Sequence, residues 1–359
     1  MNFIVILKIK EWGDFLNNNL TVLLRKYEQK RSLEISASNK LKEQIFNKYP
    51  ELEKIENDIA SLSIQKIQLI LTSKNKEDIN SIDERINVLR KEKKCLLDKY
   101  EIDESDFLPK FECDKCKDTG YIQTDSGNVL CSCIKQQLYN IAYNDSNIYD
   151  LENQNFNNFN LDYYSDKIED KYKSKLSPKQ NIIKIKKMCD NFINDFDNPN
   201  QSNLLFCGNT GLGKTFLSSC IANELIKKGK TVLYQTAPLM LDKIIDYKFG
   251  KSDDNILKSI YSVDLLIIDD LGTETKNNLK VTELFNIINS RLLNQDNKIT
   301  KTIISTNLSL QDLYNTYEER IVSRIIGNYN ACYFYGDDIR MKKRLATKCT
   351  EPKKLDIIN

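Results

Sequence analysis

Apolar residues recur at two different periods along this chain, and the change of period divides it. From Glu51 onward Leu52, Ile55, Ile59, Leu62 and Leu69 are spaced by three, four and seven residues, and after the polar break SKNKED (73–78) Ile79, Ile82, Ile86, Leu89 and Leu96 repeat the pattern. This is helical spacing, and a short polar break between two such runs predicts an antiparallel helical hairpin. Such a hairpin either packs only on itself or offers a face to a partner.

Beyond about residue 175 short apolar runs alternate with amphipathic ones. A helix-like stretch from Pro178 through Phe196 is followed by strand-like LLFC (204–207), a helix after Lys214, TVLYQ (231–235), a helix around Leu239 to Phe249, VDLLII (263–268), a helix from Leu279 to Leu293 and TIIST (302–306). Buried strands alternating with amphipathic helices predict a parallel sheet covered on both faces, an α/β fold. Residues 134 to about 180 are rich in Asn, Asp and Tyr and poor in aliphatic periodicity, the pattern of a linker that docks on its neighbour. The expected organisation is a helical, cysteine-bearing domain over 1–135, a linker over 136–175 and the α/β domain over 176–359.

Composition closes some readings. The 359 residues have room for one full-sized domain and a smaller one. Lys+Arg 53 against Asp+Glu 51 leaves a net charge of +2, so nucleic-acid binding would have to come from local patches. With no histidine, Ser-His and Cys-His nucleophile pairs and the HExxH metalloprotease pattern are excluded. The start MNFIVILKIKEW lacks the charge and cleavage pattern of a signal peptide, and no run reaches the roughly 18 apolar residues of a membrane helix. The ten cysteines suit a reducing compartment, which predicts a cytoplasmic protein without a membrane partner.

The chemistry starts at GNTGLGKT (208–215), a full match to G-x-x-x-x-G-K-[ST] between a buried strand and a helix. Gly208, Gly211 and Gly213 let the backbone N–H groups of Asn209, Thr210, Leu212 and their neighbours curl around phosphate oxygens, and the helix N-terminus with Phe216 adds its partial positive charge. Lys214 is expected to reach the β- and γ-phosphates of ATP and Thr215 to ligate Mg²⁺. LLIIDD then carries two carboxylates out of a strand end: Asp269 fits the Mg²⁺-holding acid and Asp270 the group that orients the attacking water. Asn307, directly after TIIST, is placed to hold that water near the γ-phosphate; the bland alternative is a turn residue.

GNTGLGKTFLSSCIANEL, IIDDLGTE, STN and ERIVSRI together resemble the AAA+ ATPases of bacterial replicative-helicase loaders, the DnaC and DnaI type, with the transposition helper ATPases as cousins. The resemblance covers roughly residues 150–345 and includes NFNNFNLDYYS (155–165), whose counterpart precedes the ATPase core. It implies that Arg324 is an arginine finger reaching a neighbouring subunit's nucleotide, with Arg320 the runner-up, and that Arg340 in GDDIRMKK contacts phosphate within its own chain. It further implies self-association through the ATP site and delivery of the hexameric replicative helicase onto single-stranded DNA in a primosome. Only 19 residues follow Arg340, which agrees with a family similar in lacking a full helical lid. Asp270 departs from the Glu of many AAA+ proteins and points to slow hydrolysis serving as a switch. DYKFGKS (246–252) resembles the family's DNA-contacting helix, with Tyr247, Lys248, Phe249 and Lys251 as candidate contacts. A transposition helper ATPase is the alternative reading, and a small-molecule kinase a more distant one.

CDKCKDTGYIQTDSGNVLCSC sets Cys113 and Cys116, then Cys131 and Cys133, on either side of a turn. Two close pairs brought together by a hairpin predict a closed, structural Zn²⁺ site; an iron–sulfur cluster and free thiols are the alternatives. Loaders of the DnaI type are similar in gripping the helicase through a zinc-containing N-terminal domain, although the helical part here is longer than such domains require.

Overall fold

The computed structural model describes residues 3–72, 76–125, 127–142, 153–251, 255–275, 277–293, 299–342 and 344, with side chains from residue 19 onward except those at 76, 77, 142 and 255. The side chains of the apolar start and Cys349 therefore lie outside the description. The chain divides into two compact units, residues 22–131 and residues 1–21 with 132–359.

In the smaller unit the periodic runs form α2 (Pro50–Thr72) and α3 (Lys76–Lys99), preceded by residues 22–48 of a helix that the apolar pattern did not predict, α1 (Phe3–Lys48). Leu52, Leu62, Ile86 and Leu97 are buried on the facing sides of the hairpin, and Lys66–Asp83 (2.6 Å) and Lys93–Glu56 (2.8 Å) pair across it. Tyr49 and Tyr100 stack with ring centroids 4.0 Å apart. A two-stranded antiparallel hairpin, β1 (Tyr121–Thr124) and β2 (Gly127–Leu130), carries the cysteine pairs at its base.

From residue 132 the larger unit continues with α4 (Ser132–Ala142) and α5 (Pro178–Asn194). Ser177 caps α5: its hydroxyl accepts from Gln180 N while the Gln180 side chain accepts from Ser177 N, and Pro178 occupies the first turn, where no N–H is needed. Then follow β3 (Asn203–Cys207), α6 (Lys214–Lys227), β4 (Val232–Thr236), α7 (Ala237–Lys248), α8 (Asn255–Ser262), β5 (Leu265–Leu271), α9 (Asn278–Leu293), β6 (Lys301–Thr306), α10 (Leu310–Thr316), α11 (Glu319–Asn328) and β7 (Tyr329–Tyr333).

The five strands β3 to β7 form one parallel sheet in the order β4–β5–β6–β3–β7. Successive residues point to opposite faces, so Leu204 and Phe206 join one core with α5 and α6, while Leu205 and Cys207 join another with α7, α8, α9 and α11. Burial on both faces is why these strands read as unbroken apolar runs. The order places β3 between β6 and β7 although the chain leaves it for β4 at the far edge. The crevice beyond the carboxyl ends of the strands at that switch is where open α/β sheets bind ligands.

Three details differ from the expectation. β5 does not stop at Ile268 but runs on through both acids to Leu271, with a register shift against β6 between Ile268 and Leu271. A fifth strand, β7, and helix α8 were not anticipated. Among the described residues no helix is long and apolar enough to cross a membrane.

Candidate functional site

At the end of β3 the chain turns through Gly208, Gly211 and Gly213, all at positive φ (146°, 77° and 95°), before α6 begins. A Cβ on Gly208 would lie 2.3 Å from the Phe334 carbonyl oxygen, and one on Gly211 would lie 2.1 Å from an Asp338 carboxylate oxygen. Glycine is thus required both by the backbone conformation and by close neighbours.

Lys214, buried at the first turn of α6, donates from Nζ to the Gly208 carbonyl (2.6 Å), the Asn209 carbonyl (2.8 Å) and Asn307 Oδ1 (2.7 Å). These acceptors are neutral, and burial holds the Lys214 ammonium below its ordinary pKa despite the pull of Asp270 and Asp269. A desolvated cation fastened only by neutral oxygens at the mouth of a crevice is complementary to an incoming polyphosphate.

Asp269, 2% exposed, collects donors from three strands and a helix. Thr215 Oγ1 (3.0 Å) and the Tyr234 hydroxyl (2.6 Å) donate to Oδ2, and the Ser305 hydroxyl and Asp270 N (3.1 Å) to Oδ1. This set fixes the orientation of the carboxylate beside the Thr215 hydroxyl. An adjoining hydroxyl and carboxylate, both hard oxygen donors, fit Mg²⁺, which takes one or two protein oxygens alongside substrate phosphates. When bound, that ion would neutralise charge on the phosphates. Asp270 lies in the left-handed region at φ 54°, a conformation that costs a non-glycine residue energy and turns its side chain into the cleft. Burial and the charge of Asp269 raise its pKa above the ordinary carboxylate value.

Gly211, Gly213, Lys214, Thr215 and Asp270 line a cleft of about 240 Å³, together with Thr210, Leu212, Phe216, Asn307 and Arg340. The opposite wall, which the sequence reading left without a role, is built from Asn158, Phe159, Tyr163, Tyr164 and Ile339. The Tyr164 hydroxyl donates to the Leu212 carbonyl (3.1 Å), and Phe159 stacks on Phe216 at 6.3 Å. A polar floor of backbone N–H groups facing an aromatic wall suits a ligand with a phosphate end and a flat, stackable end. The motif NFNNFNLDYYS was the available signal for this wall, but its Asn and Tyr residues have no periodicity to give it a structure.

The remaining candidates lie elsewhere. Arg324 is outside the cleft of its own chain: its Nε donates to Asn289 Oδ1 (2.6 Å) and its guanidinium sits over the Phe285 ring at 4.9 Å. Arg320 covers the same ring at 4.3 Å and pairs with Glu318. In the stretch at the end of α7, Phe249 is 66% exposed and Tyr247 half-buried, while Lys248 pairs with the buried Glu283 (3.3 Å) and Lys251 with Asp246 (3.7 Å).

The four cysteine sulfurs of Cys113, Cys116, Cys131 and Cys133 all lie within 4.8 Å of one another, with Cys113 and Cys131 3.8 Å apart. Thiolates held tetrahedrally at about 2.3 Å from a zinc ion are separated by about 3.8 Å, so the donor set fits that ion. Asp118 braces the first knuckle, accepting from Cys113 N (2.9 Å) and Glu112 N (3.0 Å). The Cys131 N–H donates to the Gly120 carbonyl (2.8 Å), tying the second pair to the same turn. The site could hold zinc as a structural ion; its four thiols leave no position for chemistry.

A phosphate loop after β3, paired acids on β5 and an asparagine directly after β6 define a P-loop nucleotide-binding domain of the AAA+ class. The family model for IstB-like ATP binding proteins matches residues 166–346, half of the chain, and the chain belongs to that family. It is 29% identical over 154 residues to the replicative helicase loader DnaC of Escherichia coli K12, covering 42% of this chain and 61% of that protein. Against the replicative helicase loader DnaC of Buchnera aphidicola from Schizaphis graminum it is 30% identical over 165 residues, covering 45% of this chain and 65% of the relative. The match thus spans under two thirds of these relatives. A crystal structure of the DnaC helicase loader aligns over 52% of this chain and 99% of its own at 25% identity, with a TM-score of 0.40.

Proposed function

We propose that this chain is an ATP-dependent loader that delivers a hexameric replicative DNA helicase onto single-stranded DNA, with slow hydrolysis timing release. The observation that carries the reading is the separation of two parts of one ATP site. The phosphate loop, Asp270, Asn307 and Arg340 line the cleft and Asp269 lies buried behind Thr215, whereas Arg324 stands on α11 outside it. A guanidinium stabilises charge on a transferring phosphoryl group only when it reaches that group. Arg324 therefore acts on the cleft of a second copy, and hydrolysis depends on assembly.

At the cleft Lys214 would hold the phosphates, Thr215 and Asp269 would hold Mg²⁺, Asp270 would orient the attacking water and Asn307 would hold that water near the γ-phosphate. Residues 1–135, with zinc on the four cysteines, grip the helicase; 136–175 link to the ATPase domain of 176–359. Tyr247, Lys248, Phe249 and Lys251 touch single-stranded DNA, for which the exposed Phe249 ring offers a stacking surface. The setting is cytoplasmic. The resemblance to DnaC over the ATPase region supports the loader, and membership of the IstB-like family favours, as a second reading, a transposition helper.

Co-purification of the full chain with its host's replicative helicase, with and without ATP and single-stranded DNA, tests the proposal. A complex that loosens on hydrolysis is expected. Retention of a transposase in place of the helicase would overturn the loader reading while leaving the nucleotide site intact.

A further inference from the structure

The turn after the paired acids connects the cleft to α11 through Glu274, the last residue of IIDDLGTE, which does not line the cleft. Asp270, at φ 54°, is followed by a tight turn in which Thr273 Oγ1 donates to the Asp270 carbonyl (2.8 Å). Gly272, at φ 99°, is pressed by the side chain of Leu308: a Cβ there would lie 2.5 Å from Leu308 Cδ1. Leu308 directly follows Asn307, the residue bonded to Lys214. Glu274 then turns back on the loop, accepting from Gly272 N through Oε2 (2.9 Å), and its other oxygen accepts from the Tyr317 hydroxyl. Tyr317 is 5% exposed, closes α10 through its N–H to the Leu313 carbonyl (2.8 Å), and packs in the same core as Ile321 and Val322 of α11. It stands three residues before Arg320 and seven before Arg324.

We infer that Glu274 is a positioning residue whose carboxylate ties the Asp270 turn to Tyr317 and so sets α11, with its arginines, according to what the cleft holds. The inference rests on the reading of α11 as the element that serves a second copy's nucleotide. Two hydrogen bonds to the two oxygens of one carboxylate make a short, stiff link, and the Leu308–Gly272 contact gives it a second input from the β6 end. Both connections join elements that carry ATP-site residues, so a shift at Asp270 or Asn307 is felt at the start of α11. Neither Glu274 nor Tyr317 lines the cleft, so breaking the link should spare nucleotide binding and weaken what α11 does.

The test uses the full chain, with Tyr317→Phe, Glu274→Ala and the double variant compared with the parent. Affinity for a fluorescent ATP analogue is measured alongside sedimentation of the chain with a non-hydrolysable ATP analogue. Tyr317→Phe removes one hydroxyl and keeps the buried ring, so it remains informative if Glu274→Ala folds poorly. The expected result is nucleotide affinity unchanged within about twofold and nucleotide-dependent self-association weakened about tenfold in each single variant. The double variant should be no worse than the worse single one, because both remove the same link. Self-association of Tyr317→Phe at the parent's concentration, or losses that multiply in the double variant, would overturn the inference. If the parent itself does not associate with nucleotide, the reading of α11 falls and takes the inference with it.

Discussion

In the sheet-centred unit every residue of β3 and β6 is buried, and each sheet face is matched by a row of aliphatic side chains from the covering helices. Among the described residues of 22–131 the buried aliphatic side chains are Leu23, Leu52, Leu62, Ile86 and Leu97, while Ile64, Ile67 and Leu71 on α2 are more than half exposed. One unit is thus held by area removed from water, the other by a thin seam, exposed ion pairs that each contribute little, and three of the four clustered cysteines. The difference teaches where each can afford function. A cleft with a strained Asp270 and a desolvated Lys214 needs a deep core to hold it, whereas a thin helical unit relies on a point constraint.

The sharpest way to break that contrast is to remove the point constraint. Stripping zinc with a chelator, or Cys131→Ser, is expected to unfold the surroundings of the hairpin, since structural zinc contributes on the order of 10 kcal/mol to small domains. Hydrogen exchange should rise across residues 101–133 while ATP-analogue binding persists. Exchange unchanged by metal removal would make the thiols ordinary. Next in size, Lys214→Ala should cost about 2–5 kcal/mol of nucleotide binding by removing the buried cation, measured by titration, without altering exchange in residues 22–131.

A paired truncation compares the two cores directly. Ile267→Ala in β5, fully buried, is expected to cost about 2–5 kcal/mol in denaturant melts. Ile67→Ala, 58% exposed on α2, should stay within about 0.5 kcal/mol. Equal losses would mean that the exposed α2 stripe is covered in solution.

The smallest effect concerns Asp270, whose carboxyl is raised by burial and by Asp269. A carboxyl that binds its proton more tightly when folded favours the folded state at acid pH and loses that contribution as pH rises through the folded value. Without nucleotide, Asp270→Asn should therefore melt slightly higher than the parent at pH 7, with the margin narrowing toward pH 4. A margin that widens on acidification would show that the charge is not strained in the free site.

The same contrast governs what could be read in advance. The strands ending in LLFC, LLII and TIIST were legible because burial on both faces leaves an unbroken apolar run, and the hairpin because one face of each helix is buried. β7 was not: YNACY is an edge strand with Asn330 and Ala331 exposed, so its apolar signal is half as dense. α1 was missed because the apolar positions along its sequence keep no single three- and four-residue repeat. The phosphate loop, the two acids and Asn307 were recognisable by type and spacing, but the aromatic wall at 158–164 and the Tyr234 and Ser305 donors to Asp269 were not. Those positions carry no local pattern, and their role exists only relative to residues far along the chain.

By itself the sequence determined the phosphate loop, the alternation that makes a parallel sheet and the two close cysteine pairs, because each depends on neighbours within a turn or a strand. Tertiary structure alone decided that Lys214 meets Asn307 across 93 residues, that Asp269 is fixed by donors from separate strands and a helix, and that Arg324 stands outside its own cleft. The reason is physical: local periodicity sets which face of an element is apolar, but only sheet order and register decide which polar groups on those elements come within hydrogen-bond reach.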